Sequence, residues 1–238
     1  MIKGLFVNKA GMLPQQRRLE IAANNLANSN TIGFKKEKIS FRQLIQAVLD
    51  PGNDENRMPG VTETDFSQGV LKQTNNPLDV AIVGEGFFVI ETDEGQWYTR
   101  NGNFTLDADG RLITQNGFPV ATDGGEMQLI GQSVQITEQG EIVMDGQVVG
   151  RLRIVTFDDP QQLQRIQSTY FAAGQAIPIE LSENEINLRT GYLETSNVNA
   201  LDELLEMIEV NRLYELGQKS IQAQDQTLDK LINQAGRL

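Results

Sequence analysis

Aspartate and glutamate are the only abundant side chains here with acid–base chemistry near neutral pH. The 238 residues hold 32 of them, and neither histidine nor cysteine. That excludes a Ser-His-Asp or Cys-His pair and an ordinary zinc site. Carboxylate-pair chemistry, the kind that cleaves glycosidic bonds, stays open but needs two acids in a defined setting. No acidic pair stands in one. Asp107-Ala108-Asp109-Gly110 has the outline of a calcium loop. Its first ligand position would be Thr105, however, and its twelfth, where a bidentate glutamate belongs, is Asn116. A hairpin turn is expected there. Gly84-Glu85-Gly86 runs into Phe87-Phe88-Val89, so no third glycine completes a phosphate-binding fingerprint. It reads as a tight turn between strands. The sequence therefore assigns no catalytic residue, no cofactor and no metal, and the chain reads as a non-enzyme.

A formal charge of −12 argues against nucleic-acid binding, which needs a basic face. No stretch approaches the ~20 apolar residues of a membrane span, so no membrane insertion is expected. The first eighteen residues, MIKGLFVNKAGMLPQQRR, are broken by Asn8, Lys9, Gln15 and Gln16 and form no apolar signal-peptide core. The expectation is a cytoplasmic chain, or one exported without a cleaved signal.

The elements fall into three unlike regions. Near the N-terminus, Leu5, Met12, Leu19 and Leu26 recur at intervals of seven, a narrow stripe of the coiled-coil type. Pro14 places the expected start of regular helix. From about Val70 the period changes to short β-prone runs at residues 80–83, 87–90, 97–99, 104–106, 112–114, 134–136, 141–144, 147–149 and 152–157. Asn101-Gly102, Asp109-Gly110, Asn116-Gly117 and Asp145-Gly146 separate them, pairs favoured in two-residue hairpins whose central residues need positive φ. A compact antiparallel sandwich or open barrel follows. Its aromatics, Phe87, Phe88, Trp97, Tyr98 and Phe104, are expected in the core. Between the regions, a short helix near Phe41–Leu49 and an extended connector are expected.

After Thr195-Ser196-Asn197, a helix-start signal, proline is absent. Val210, Tyr214, Gly217, Ile221, Gln224, Leu228, Leu231 and Ala235 alternate at steps of four and three, and Leu201, Leu204, Leu205 and Ile208 make a second stripe. The fold class expected is α+β: paired N- and C-terminal coiled-coil-like helices plus a compact antiparallel β domain. Residues 1–36 with 196–238 would form a discontinuous axial helical domain, 37–75 a short helix and connector, and 76–195 a β-rich outer domain. Single helices of this kind gain most of their stability from packing, so such a subunit is completed by assembly.

NNLANSNTIGFKK (24–36) resembles the N-terminal signature of the bacterial flagellar rod and hook proteins. FSQGVLKQT from Phe66, NPLDVAIVGEGFFVI from Asn76, YTRNGNF from Tyr98 and GYLETSNVNALDELLEMIEVNRLYE from Gly191 resemble the same family, in order along the chain. Motif residues are Asn25, Leu26, Ala27, Asn28, Gly33, Phe34, Ser196, Asn197 and Val198. The length favours the basal-body rod subunits over hook proteins. The short connector and VGRLRIVTF from Val149 favour the F type over the G type. The resemblance implies a structural subunit that polymerises into the axial drive shaft carrying torque from motor to hook. Its partners would be copies of itself, other rod and hook subunits, and the type III export apparatus. Its place would be the periplasmic rod of the basal body. On that reading Leu19, Leu26, Val210, Tyr214, Ile221, Leu228 and Leu231 are the subunit-interface residues, and residues 24–34 end the axial helix. The alternatives are a carboxylate-dependent cell-wall glycosidase and an adhesin-like binding module.

Overall fold

The computed structural model describes residues 2–40, 62–125, 129, 131 and 133–235. The helix expected at Phe41–Leu49 and most of the connector lie outside the described residues. The chain divides into two compact units. One comprises Met1–Ala27, Glu37–Thr62 and Asn199–Leu238, and the other Asn28–Lys36 and Glu63–Val198.

The first unit is built on two helices, α1 (Ile2–Ala27) and α2 (Ala200–Ala235), with a short strand β1 (Glu37–Ile39). Helix α1 does not begin at Pro14, as the sequence suggested; it runs through it. An internal proline removes one backbone bond and costs about 3 kcal/mol in an isolated helix. Here the good helix formers that follow, Gln15 to Glu20, and the contact of α1 with α2 offset that cost. Helix α2 also starts later than expected. Its N-cap is Asn199, whose side-chain oxygen accepts from Leu201 N at 3.0 Å. Asp202 and Glu203 in its first turn suit the positive end of the helix dipole.

The second unit is β-rich. Its strands in chain order begin with β2 (Thr62–Thr64, entered from the first unit), β3 (Leu71–Gln73), β4 (Val80–Ile82), β5 (Phe87–Thr92) and β6 (Gly95–Thr99). Next come β7 (Phe104–Leu106), β8 (Leu112–Thr114), β9 (Val134–Ile136), β10 (Glu141–Met144), β11 (Gln147–Arg151) and β12 (Ile154–Thr156). The series ends with β13 (Gln164–Arg165), β14 (Tyr170–Ala172), β15 (Ile179–Glu180), β16 (Leu188–Thr190) and β17 (Tyr192–Glu194). The main sheet has six strands in the order β13-β14-β6-β5-β12-β15, all antiparallel. Smaller antiparallel ladders join β11-β10-β9, β16-β4, β17-β3 and β7-β8.

Strand β5 explains the core. Its side chains alternate between the two faces, and both faces are covered. Phe88 and Ile90 enter one cluster with Val80, Trp97, Phe104 and Leu152; Phe87 and Val89 enter another with Tyr98, Val155, Phe157 and Phe171. The five aromatics expected in the core are all buried. Every strand expected between residues 80 and 157 forms within a residue or two of its predicted limits.

Turn chemistry is corrected in part. Asp145-Gly146 has positive φ at both residues, 50° and 83°, and closes the β10–β11 hairpin. At Asp109-Gly110 and Asn116-Gly117 only the glycine is left-handed. Neither residue of Asn101-Gly102 has positive φ. Gly102 is needed for close approach instead: a Cβ there would sit 1.7 Å from the Val80 carbonyl oxygen. At the β15 edge of the main sheet, Pro178 has no N–H to offer, and the Ser182 N–H donates to the Glu185 carboxylate at 2.9 Å. Glu180 on that edge pairs with Arg153.

Candidate functional site

Helix α2 carries two apolar faces. Val210 is buried, Tyr214, Gly217 and Ile221 are half-buried, and Leu228 and Leu231 continue the same four–three register of the helix backbone. On α1, Ile21, Ala22 and Asn25 are buried, whereas Leu19 and Leu26 of the heptad stripe are half-buried. Arg18 Nε donates to Glu206 Oε1 at 2.9 Å, linking α1 to α2. Away from Val210, at 100° per residue, Leu201, Leu204, Leu205 and Ile208 occupy successive turns of the other side. All four are exposed, Leu201 by 63%, and Leu216 farther along is 62% exposed.

The motif residues divide between the units. Asn25 is buried and uses its amide as a peptide group does. Its Oδ1 accepts from Glu37 N at 2.9 Å while its Nδ2 donates to Glu37 O at 2.9 Å and to Glu203 Oε2 at 3.2 Å. Leu26 and the exposed Ala27 end α1. Asn28 then closes a turn through its carbonyl, which accepts from Thr31 N at 3.1 Å. Ser196 is buried and accepts from Val198 N at 3.2 Å. Asn197 does not cap α2. Its Oδ1 accepts from Lys36 N at 2.7 Å, and its Nδ2 donates to Asp65 O at 2.8 Å and Ser67 O at 3.1 Å.

Those bonds surround an ionic node in the β unit. Lys35, Glu194 and Arg100 have side chains 0%, 1% and 4% exposed. Lys35 Nζ donates to Glu194 Oε1 at 2.5 Å and to Ser67 O at 2.8 Å. Gly69 N donates to the same Oε1 at 2.8 Å. Arg100 Nη1 lies 3.5 Å from Glu194 Oε2 and donates to Gly84 O at 2.8 Å. Burial pulls the Lys35 ammonium and the Arg100 guanidinium below their ordinary pKa values, and the Glu194 charge opposes both. Gly33, left-handed at φ 70°, sits so close that a Cβ would be 2.5 Å from Asn101 N. That approach lets Gly33 N donate to Glu194 O at 2.8 Å. Phe34 is buried beneath Arg165, whose guanidinium stacks on Phe34 and Phe171 at 4.9 and 4.8 Å and donates to Lys35 O at 2.6 Å.

The sequence reading singled out Gly33 and Phe34 but not Lys35, Arg100, Arg165 or Glu194. The available signal was charge placed inside or at the end of apolar, β-prone runs, as in GFKK, WYTR and YLET. The calcium-loop outline resolves into a turn: Asp107 Oδ1 accepts from Asp109 N at 2.9 Å and from Arg111 N at 2.8 Å. The Arg111 N–H holds the Asp107 carboxyl below its usual range. Among the described residues, no three acidic side chains converge as a metal site would need, and no helix is long and apolar enough to cross a membrane. What the node can do chemically is hold four chain segments together by charge.

Three family models match this chain. "Flagella basal body rod protein" covers residues 10–35, "Flagellar hook protein FlgE/F/G D1 domain" covers 81–148, and "Flagellar basal body rod FlgEFG protein C-terminal" covers 189–234. Lys35, Arg100 and Glu194 fall one in each. The basal-body rod protein FlgG of Buchnera aphidicola subsp. Acyrthosiphon pisum is 36% identical over 261 positions, spanning 97% of this chain and 99% of its own. FlgG of Bacillus subtilis is 31% identical, spanning 98% and 99%. FlgF of Rhizobium meliloti is 31% identical over 240 positions, spanning 99% of each. Because the likeness spans 97–99% of the chain, at up to 36% identity, the chain belongs to the flagellar basal-body rod proteins.

Proposed function

We propose that this rod protein polymerises through its helical unit, with the face of α2 formed by Leu201, Leu204, Leu205 and Ile208 covered by neighbouring copies. The observation that carries the reading is the pair of unlike apolar faces on one helix. One holds the buried Val210 and the half-buried Tyr214 and Ile221; the other, at Leu201, Leu204, Leu205 and Ile208, is exposed. Burying an exposed leucine or isoleucine contributes about 1.5–3 kcal/mol. Contacts between unlike surfaces whose rotation does not close generate an open helix, hence a shaft. In this arrangement the two helices pair in a coiled-coil-like layer, with Leu19, Leu26, Val210, Tyr214, Ile221, Leu228 and Leu231 along its seams and the β unit outside.

On length we favour the F type, although the Buchnera FlgG is more identical, at 36%, than the Rhizobium FlgF, at 31%. The FlgF alignment runs over 240 positions, close to the 238 residues here, while the FlgG alignment needs 261. Export through the flagellar type III apparatus, a place in the periplasmic rod and transmission of torque from motor to hook follow from the family reading. So does a purely structural role, which release of sugars from purified peptidoglycan would contradict.

The test is Ile208→Asp at the native locus. The variant should purify as a folded monomer with parental melting behaviour, yet fail to enter basal bodies and leave cells non-motile. Normal swimming would remove the assignment of this face.

A further inference from the structure

We propose that the Lys35–Glu194–Arg100 node is an all-or-none lock on the β unit, releasing segments 33–36, 66–69 and 194–197 only together with the main sheet. The inference stands on the geometry of one unit and does not depend on the rod reading.

The three charged residues lie far apart in the sequence and are withdrawn from water together. Glu194 is the shared partner of both cations. It also accepts Gly69 N with its carboxylate and Gly33 N with its backbone carbonyl. Suppose the stretch 194–197 peeled away while the sheet stayed folded. Lys35 Nζ would keep its bond to Ser67 O, and Arg100 its bond to Gly84 O and its place over the Phe87 ring. Each charge would still be buried with its Glu194 partner gone, and Asp65 and Glu85 would be the remaining acids that act on them. Stranding a buried charge without its counter-ion is among the costliest local events in a protein. Partial opening is thereby suppressed by about 100- to 1,000-fold relative to an uncharged contact of the same size. A node of apolar side chains would lack this property, because losing one apolar neighbour strands nothing. The ions here act less by deepening the folded state than by removing the half-open ones.

Native-state hydrogen exchange on the full chain tests this. In the parent, the amides of Gly33, Gly69 and Thr195, bonded to Glu194 O, Glu194 Oε1 and Val70 O, should exchange at the rate of the Ala121 amide, which bonds Val89 O in the sheet core. The triple variant Lys35→Met, Arg100→Met and Glu194→Gln removes all three charges of the node, so that no buried cation is left without its counter-ion. In it Gly33, Gly69 and Thr195 should exchange at least tenfold faster than Ala121. The single variant Glu194→Gln should speed all four together by 100-fold or more. If Glu194→Gln does not fold, the parent and the triple variant still decide. Two results would overturn the lock: any of Gly33, Gly69 and Thr195 exchanging tenfold faster than Ala121 in the parent, or all four remaining equal in the triple variant.

Discussion

Replacing Gly102 by alanine should cost the β unit about 2–4 kcal/mol, although this glycine has an ordinary backbone conformation. The added Cβ would lie 1.7 Å from the Val80 oxygen and 3.0 Å from a Phe88 ring carbon. Real Cβ contacts do not fall below 3.0 Å, so the two segments must separate by at least 3.0 − 1.7 = 1.3 Å. The Val80 N–H bond to Gly102 O, now 3.0 Å, cannot survive that shift. Losing it costs about 1 kcal/mol, and forcing a methyl into a close-packed contact adds about 1–3 kcal/mol. At 2–4 °C per kcal/mol for a chain of this size, the melting midpoint should drop by about 5–15 °C. Gly117→Ala is the natural comparison. That residue is left-handed with nothing within 4 Å of its missing Cβ, so it should lose only about 1 kcal/mol of backbone strain. Thermal unfolding followed by circular dichroism measures both. A Gly102→Ala midpoint within about 2 °C of the parent, or no lower than that of Gly117→Ala, would refute the close-approach account.

Arg165→Lys should keep the charge but lose the flat stack between Phe34 and Phe171, costing about 1–2 kcal/mol in urea unfolding. An unchanged urea midpoint would show that charge alone suffices. Burial raises the phenols of Tyr98 and Tyr170 above their ordinary value of 10.0. The folded state then holds protons that the unfolded state has released, so this contribution is full below pH 10 and is lost as pH rises through the folded values. Phenolate absorbance should show two late-ionising tyrosines, and stability should fall above pH 10. Four tyrosines ionising together at pH 10 would contradict their burial.

Much of the fold was legible because local chemistry and global packing agree in the sheet. The runs around Phe87, Trp97 and Ile154 are β-prone and bounded by turn residues, and they formed where expected. Helix limits were less legible, for a reason visible at Asn197. A Thr-Ser-Asn run reads as a cap, but the Asn197 amide is drawn off by Lys36, Asp65 and Ser67, which lie about 130–160 residues away in sequence. The same holds for Gly102: Asn-Gly is a turn signal in isolation, and the contact that fixes it belongs to Val80. The node was the least legible feature, because each of its charges reads alone as a solvated side chain.

The blunted β15 strand bears on how such a protein survives its own crowding. Sheets brought side by side at high density tend to fuse along open edges, and a fused edge is hard to reverse. Here the edge strand carries a glutamate in an ion pair, Pro178 precedes it, and the Ser182 amide just beyond it is already occupied by Glu185. A neighbouring copy pressed against that strand finds no continuous row of donors to zip onto. That edge is thus closed to strand-to-strand fusion, and the choice of neighbours is left to side-chain contacts that can let go and re-register.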